Sequence, residues 1–259
     1  MVKINSYSNT LKRIGWKTLL LALALNILTY TIAFAASGDL DPTFSGDGKV
    51  TTNIGGALVN DAAWGLAVQS DGKIVTVGDH YNAAGDKSDF TVVRYKPDGA
   101  LDTTFSEDGK LTTNFRVQDQ AHDVALQPDG KIVVAGQACA ANYVCDLAVA
   151  RYNPDGSLDT TFSGDGKVTK DFGGGDNGSL GGLAIQSDGK IIIAGYMHNG
   201  SSYDFAIYRF NENGTLDTTF SRDGMVNISF GSGRNDFARD IAIASGGKLV
   251  VVGESRHPG

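Results

Sequence analysis

Residues 128–167 read PDGKIVVAGQACAANYVCDLAVARYNPDGSLDTTFSGDGK, and their pieces recur before and after at a nearly fixed spacing. Leu-Asp-x-Thr-Phe begins at Leu40, Leu101, Leu158 and Leu216, in steps of 61, 57 and 58 residues. The glycine of an (S/P)-(D/G)-G-K turn falls at Gly72, Gly130, Gly189 and Gly247, in steps of 58, 59 and 58. A period of this length marks one supersecondary unit repeated along the chain, each copy burying its apolar faces on its neighbours.

Each period holds four strand candidates. The first covers 65–69, 123–127, 182–186 and 240–244; the second follows the turn at 73–78, 131–136, 190–195 and 248–253. Both are short and apolar, and a glycine turn separates them, the pattern of a hairpin. The third covers 90–95, 147–152 and 205–210, and the fourth 49–52, 110–113, 167–170 and 225–228. No stretch beyond the N-terminus has helical periodicity long enough to compete. The first two strands are apolar on both faces, so layers must lie above and below them. Stacked blades around an axis supply those layers. The expectation is an all-β, β-propeller-like array of about four repeats, near 38–100, 101–157, 158–215 and 216–259. An open β-solenoid is the alternative, although four strands per period exceed what a solenoid coil uses.

The combination of L-D-x-T-F, a D-G-K turn, I-V-V-A-G and A-V-A-R-Y-N-P-D-G resembles the delta-60 repeat of exported bacterial proteins. The resemblance covers 37–259 almost throughout and implies a propeller-like β domain with no assigned activity and no catalytic residues to carry over. The turn phrase is also similar to the A-V-x-x-D-G-K of other propellers, where it links the innermost strand to the second. That likeness implies the order inner A, B, C, outer D. In this order residues 38–54 hold a D strand with no A, B or C before it, and the last repeat has A and B strands with no C. The last blade is therefore expected to be incomplete. Self-association through it is one way the gap could be filled.

The N-terminus differs from the repeats. Lys3, Lys12, Arg13 and Lys17 precede an apolar run from Thr18, no acid occurs before Asp39, and the run ends in Ala33-Phe34-Ala35-Ala36. This is the layout of a cleaved export signal over 1–36, with a retained membrane anchor as the alternative. Without that segment 18 basic residues face 29 acidic ones, a net charge of −11 against −7 for the whole chain. So acidic a chain lacks the positive footprint that draws phosphate backbones, which argues against nucleic acid and anionic membrane surfaces as partners.

In an oxidising compartment Cys139 and Cys145, with five residues between them, are expected to clamp their loop as a disulfide. A shared metal is the weaker alternative, because two thiols make half a zinc site at most. Asp41/Asp47, Asp102/Asp108, Asp159/Asp165 and Asp217/Asp223 recur at a spacing of six before a glycine. Bound Ca2+ is one reading. However, the intermediate acids and closing Glu of a calcium loop are missing, so capping of turn amides is the plainer one, with no cofactor. Arg94, Arg151 and Arg209 each precede an aromatic at the end of strand C and are expected to pair with an Asp of their own repeat.

Function on repeat scaffolds sits in the parts that vary. The D–A and B–C loops vary in length and content, whereas the A–B turns and Leu-Asp-x-Thr-Phe segments do not. Just before strand A stand Trp64, His122, Gly181 and Arg239. Of these Trp64, His122 and Arg239 are candidate ligand-binding residues at the channel mouth, able to grip a sugar or a peptide carboxylate. His80, His198 and His257 follow B strands at different offsets and read as separate loop residues, and Gly173-Gly174-Gly175 leads into no helix. No nucleophile–His–Asp grouping or phosphate-loop motif stands out. The expectation is an exported, non-enzymatic module whose variable face binds a protein or glycan. The alternatives are an extracellular hydrolase, or a structural envelope or adhesin segment.

Overall fold

The computed structural model describes residues 38–56, 60–171 and 178–257. The chain divides into two units at Pro42: residues 38–42 of the first run through turns and bends, and the second, from Thr43, carries every strand. The expected export segment and Gly173-Gly174-Gly175 lie outside the described residues.

Blade 1 consists of β1 (Asp61–Val68), β2 (Ile74–Tyr81), β3 (Ser88–Tyr95) and β4 (Lys110–Thr113). Blade 2 is β5 (Gln118–Leu126), β6 (Ile132–Cys139), β7 (Cys145–Tyr152) and β8 (Lys167–Asp171). Blade 3 is β9 (Ser179–Ile185), β10 (Ile191–His198), β11 (Tyr203–Phe210) and β12 (Met225–Ile228), and blade 4 has β13 (Asn235–Ile243) and β14 (Leu249–Arg256). Within each blade successive strands pair antiparallel, and one parallel pair, Ser88 with Gln118, links blades 1 and 2. Three blades are four-stranded and the fourth holds two strands. The A strands begin earlier than expected, at Asp61, Gln118, Ser179 and Asn235.

The expected strand at 49–52 is not formed. A D strand needs a C strand to complete its ladder, as β4 has in β3, and no such partner lies beside 49–52. The segment still occupies the D place ahead of blade 1. Tyr95 donates its hydroxyl to Thr52 Oγ1 at 2.7 Å, as Tyr152 does to Thr113 Oγ1 at 2.8 Å one blade later.

Both faces of the middle blades are buried, which explains their two-sided apolar strands. Val75, Val77, Phe90 and Val92 of blade 1 pack on Val124, Ile132 and Val134 of blade 2. The residues between them, Val133, Ala135, Leu147 and Val149, face Leu180, Leu183, Ile191 and Ile193 of blade 3. Ile192, Ala194, Phe205 and Ile207 then meet Ala238 and Ile241 of blade 4. Strand alternation sends consecutive side chains to opposite neighbours, and each buried Val, Leu or Ile contributes about 1.5–3 kcal/mol. The A strands of adjacent blades touch one another, which places them innermost.

The recurring Leu-Asp-x-Thr-Phe has a physical explanation. Arg94, Arg151 and Arg209 donate from Nε to Asp102, Asp159 and Asp217 at 2.8, 2.8 and 2.7 Å. The Thr two residues on donates to the other oxygen of the same Asp. The Phe that follows lies under the guanidinium, with its ring centroid 4.6, 4.9 and 4.5 Å away. Lys73, Lys131 and Lys190, from the D-G-K turns, reach the same three carboxylates. Each cluster also grips the next blade: Arg94 donates to Pro154 O, and Ser106 N to Asp155 O at 2.8 Å. Phe105 fits beneath that turn because Gly156, at φ 93°, has no side chain; a Cβ there would stand 3.1 Å from the ring. The motif is the joint between blades.

Candidate functional site

Trp64, His122, Gly181 and Arg239 do not precede strand A; they lie within it. In β1, β5 and β13 the register shifts between Ala63 and Gly65, Ala121 and Asp123, and Ala238 and Asp240, leaving Trp64, His122 and Arg239 as bulge residues. In blade 3 the shift on β10 between Ala194 and Gly195 leaves Gly181 in the same place. A bulge adds a residue and re-aims its side chain out of the pleat. The glycine ending I-V-V-A-G is required opposite it. A Cβ on Gly136 would stand 1.9 Å from Gln120 O, and one on Gly78 would stand 1.7 Å from Ala62 O.

No contact joins Trp64, His122 and Arg239 to one another among the described residues. Trp64, 61% exposed, donates from Nε1 to Asp79 Oδ1 at 2.5 Å. Burial pushes the Asp79 carboxyl above its ordinary value; the indole opposes this and the nearby Asp61 adds to it. His122 is held neutral by burial, and its Nε2 is enclosed without a hydrogen-bond partner. Arg239 lies among aromatic rings, its guanidinium 5.9 Å from the Tyr196 centroid and 5.4 Å from that of Phe237.

Those rings form the candidate site. Tyr196 and His198 come from the end of β10, Tyr203 from the start of β11, and Phe237 from the start of β13, all at the end of the sheets that carries the varied loops. Tyr196 meets Phe237 edge-on at 4.8 Å and Tyr203 at 5.6 Å. Tyr203 meets Phe237 at 5.4 Å and His198 at 5.0 Å. Arg256 lies 5.5 Å from the Phe237 centroid. Glu254 accepts from both Arg239 and Arg256, which hold its carboxyl below the ordinary range, Arg239 the more strongly. The three aromatic rings are half-buried and both guanidiniums are exposed. Edge-to-face rings with cations over their faces present apolar area and a polar rim together.

Tyr196, Tyr203, Phe237 and His198 were not among the sequence candidates, and the signal for them lay in the repeat alignment. Phe237 stands where the other blades have Ala62, Gln120 and Ser179, and Tyr196 where they have Asp79, Gln137 and Glu254. The other histidines are separate. His80 closes β2 and meets Asp61 at 2.6 Å, and His257 contacts Arg234. Among the described residues no three His, Cys, Asp or Glu side chains form a metal-holding group. Asp47, Asp108, Asp165 and Asp223 accept the backbone amide two residues on at 2.9–3.0 Å, the turn role. Cys139 and Cys145 stand opposite each other on β6 and β7 and are joined by a disulfide.

At the inner strands Asp123 and Asp240 alternate with Gly65 and Gly182. Asp123 accepts the amides of Val124 at 2.8 Å and, from the next blade, Leu183 at 2.9 Å. Burial raises its carboxyl pKa, the two amides oppose this, and the charge of Asp240 adds to it. Gly182 leaves the room: a Cβ there would stand 2.9 Å from Asp240 Oδ1.

A family model described as a domain of unknown function (DUF5122) beta-propeller matches residues 69–105, 127–162 and 186–220. Each segment runs from the residue after an A strand, through B and C, to the Phe of Leu-Asp-x-Thr-Phe. The chain is a β-propeller-like repeat array. This array is similar to a catalytically inactive virginiamycin B lyase from Staphylococcus aureus solved with quinupristin, at 12% identity and TM-score 0.39 over 77% of this chain. The match covers 51% of the lyase, so the array spans about half its length. A second similar structure is a GH43_1 enzyme from Xanthomonas citri complexed with xylose, at 10% identity and TM-score 0.36, covering 75% of this chain and 73% of that one. No curated protein matches the array in sequence.

Proposed function

We propose that the array is an exported, non-enzymatic module of delta-60 repeats whose variable-loop face binds a protein or a glycan. The observation that carries this reading is the cluster of Tyr196, Tyr203 and Phe237 under Arg239 and Arg256. The repeat does not need these rings, since blades 1 and 2 fold with small or polar residues in the same places. Half-buried rings suit the apolar faces of sugars or peptide side chains, and the guanidiniums suit a neighbouring carboxylate. A glycan array and a peptide panel probed with the full chain should give a ligand whose binding falls at least tenfold in Tyr196→Ala and Arg239→Ala. Ligands bound equally well by both variants would rule the cluster out as the site.

The hydrolase alternative would draw on the inner carboxylates Asp123 and Asp240. Both are committed to backbone amides, Asp240 to that of Ile241 at 2.7 Å, which suits strand joining better than proton transfer. Turnover of a chromogenic glycoside panel, lost in Asp123→Asn, would favour that alternative.

A further inference from the structure

The two ends of the array carry complementary faces. Leu66 of β1 occupies the place of Val124, Leu183 and Ile241 in the other blades. Those three are 6, 8 and 6% exposed because each is covered by the preceding blade, whereas Leu66 is 66% exposed. Val68 beside it is 60% exposed, and its counterpart Leu126 is packed into the core. At the far end, Val250 of β14 stands where Val75, Val133 and Ile192 are fully buried by the following blade, yet it is 49% exposed; Val252 is 55% exposed. Blade 1 thus lacks a preceding blade, blade 4 lacks a following one, and each shows the half of the interblade contact that the other would fill.

Two further features match blade 4 to blade 1 in particular. Asp123 joins blade 2 to blade 3 by accepting Leu183 N beside Gly182. Asp240 is its equivalent, and its second carboxylate oxygen has no partner among the described residues, while the matching pair on blade 1 is Gly65-Leu66. Blade 1 is also preceded by the segment in the D place, and a cavity of about 260 Å3 opens between Val50, Thr52 and Ile54 and the Thr76–Val93 face of β2 and β3. The A and B strands of a preceding blade would lie along this face.

We propose that copies of this chain associate head to tail, the Val250–Val252 face of blade 4 in one copy seating on the Leu66–Val68 face of blade 1 in the next. The blade formed at the junction takes its A and B strands from one copy and its D segment from the other. Such a contact is heterologous, so it builds a closed ring of copies or an open fibre.

Sedimentation velocity of the full chain across a wide concentration series tests this. Wild type should run above the monomer, and Leu66→Asp and Val252→Asp should each reduce it to monomers or end-capped pairs that dissociate on dilution. Each variant keeps one intact face, so an equal mixture of the two should form a heterodimer that neither forms alone. Both side chains are exposed, so circular dichroism and the melting temperature should be unchanged; if one variant fails to fold, Val68→Asp or Val250→Asp on the same face replaces it. A monomeric wild type would overturn the proposal, whether those faces meet solvent, another protein or further repeats. Association that survives Leu66→Asp would also overturn it, pointing to pairing through the free edge of β14 instead.

Discussion

Arg151 and Asp159 meet at 2.8 Å with side chains only 2% and 4% exposed, joining strand β7 to the connection that leaves it. Removing one member of a buried pair strands the other's charge, which costs roughly 3–5 kcal/mol. Arg151→Met should therefore lower the urea midpoint strongly. Arg209→Met should lower it less, because Arg209 is 19% exposed and water can still reach Asp217. Equal losses at the two sites would show that solvent exclusion does not set the strength of the joint.

The same carboxylates should shape the acid limb of stability. Burial alone would raise the Asp102 pKa, but hydrogen bonds from Thr104 and the charges of Arg94 and Lys73 outweigh it and lower it to about 2. The unfolded chain, with an ordinary aspartate near ~3.9, then takes up the proton first. The contribution of Asp102 is fully present above the unfolded value and is lost as pH falls through about 2. Asp102→Asn should be less stable at pH 7 and should show a shallower decline between pH 4 and pH 2 in a denaturation series.

Two glycines separate crowding from backbone conformation. Gly136→Ala would drive a Cβ to 1.9 Å from Gln120 O, so the bulge must move, at a cost on the scale of core overpacking or above it, about 1–3 kcal/mol or more. Gly164→Ala meets nothing within 4 Å and pays only for its φ of 90°. Thermal melts should show the first variant clearly below the second.

Opening the Cys139–Cys145 bond should have a modest effect. The loop it closes is short, and chain entropy assigns such a link ~2 kcal/mol. The Cys139→Ser/Cys145→Ser variant should melt a few degrees lower than wild type while keeping the β signature of its circular dichroism. An unchanged melting temperature would mean that the β6–β7 pairing already holds the loop.

The scaffold was legible because it repeats. Arg94, Arg151 and Arg209 recur with their aspartates, and the structure pairs each as that recurrence implies. Strand edges were less so. The bulge at Trp64, His122 and Arg239 leaves no mark in the hydrophobic alternation, and these residues were read as lying ahead of the strand. The 49–52 segment has the letters of a D strand and no ladder, because pairing depends on a neighbour that local sequence does not supply. The aromatic cluster was missed because its members come from β10, β11 and β13, separated along the chain and brought together by blade packing.

Residue order by itself determined the period, the blade count, the A-B-C-D order and the incomplete last blade, since each follows from local patterns that every copy must satisfy to bury its faces. Tertiary structure decided which varied residues meet. Arg239 lies over Tyr196 and Phe237, while Trp64 turns to Asp79 and His122 is enclosed without a partner. It also decided which apolar positions remain uncovered. Leu66 and Val124 are alike in sequence, and only the presence or absence of a neighbouring blade makes one surface and the other core.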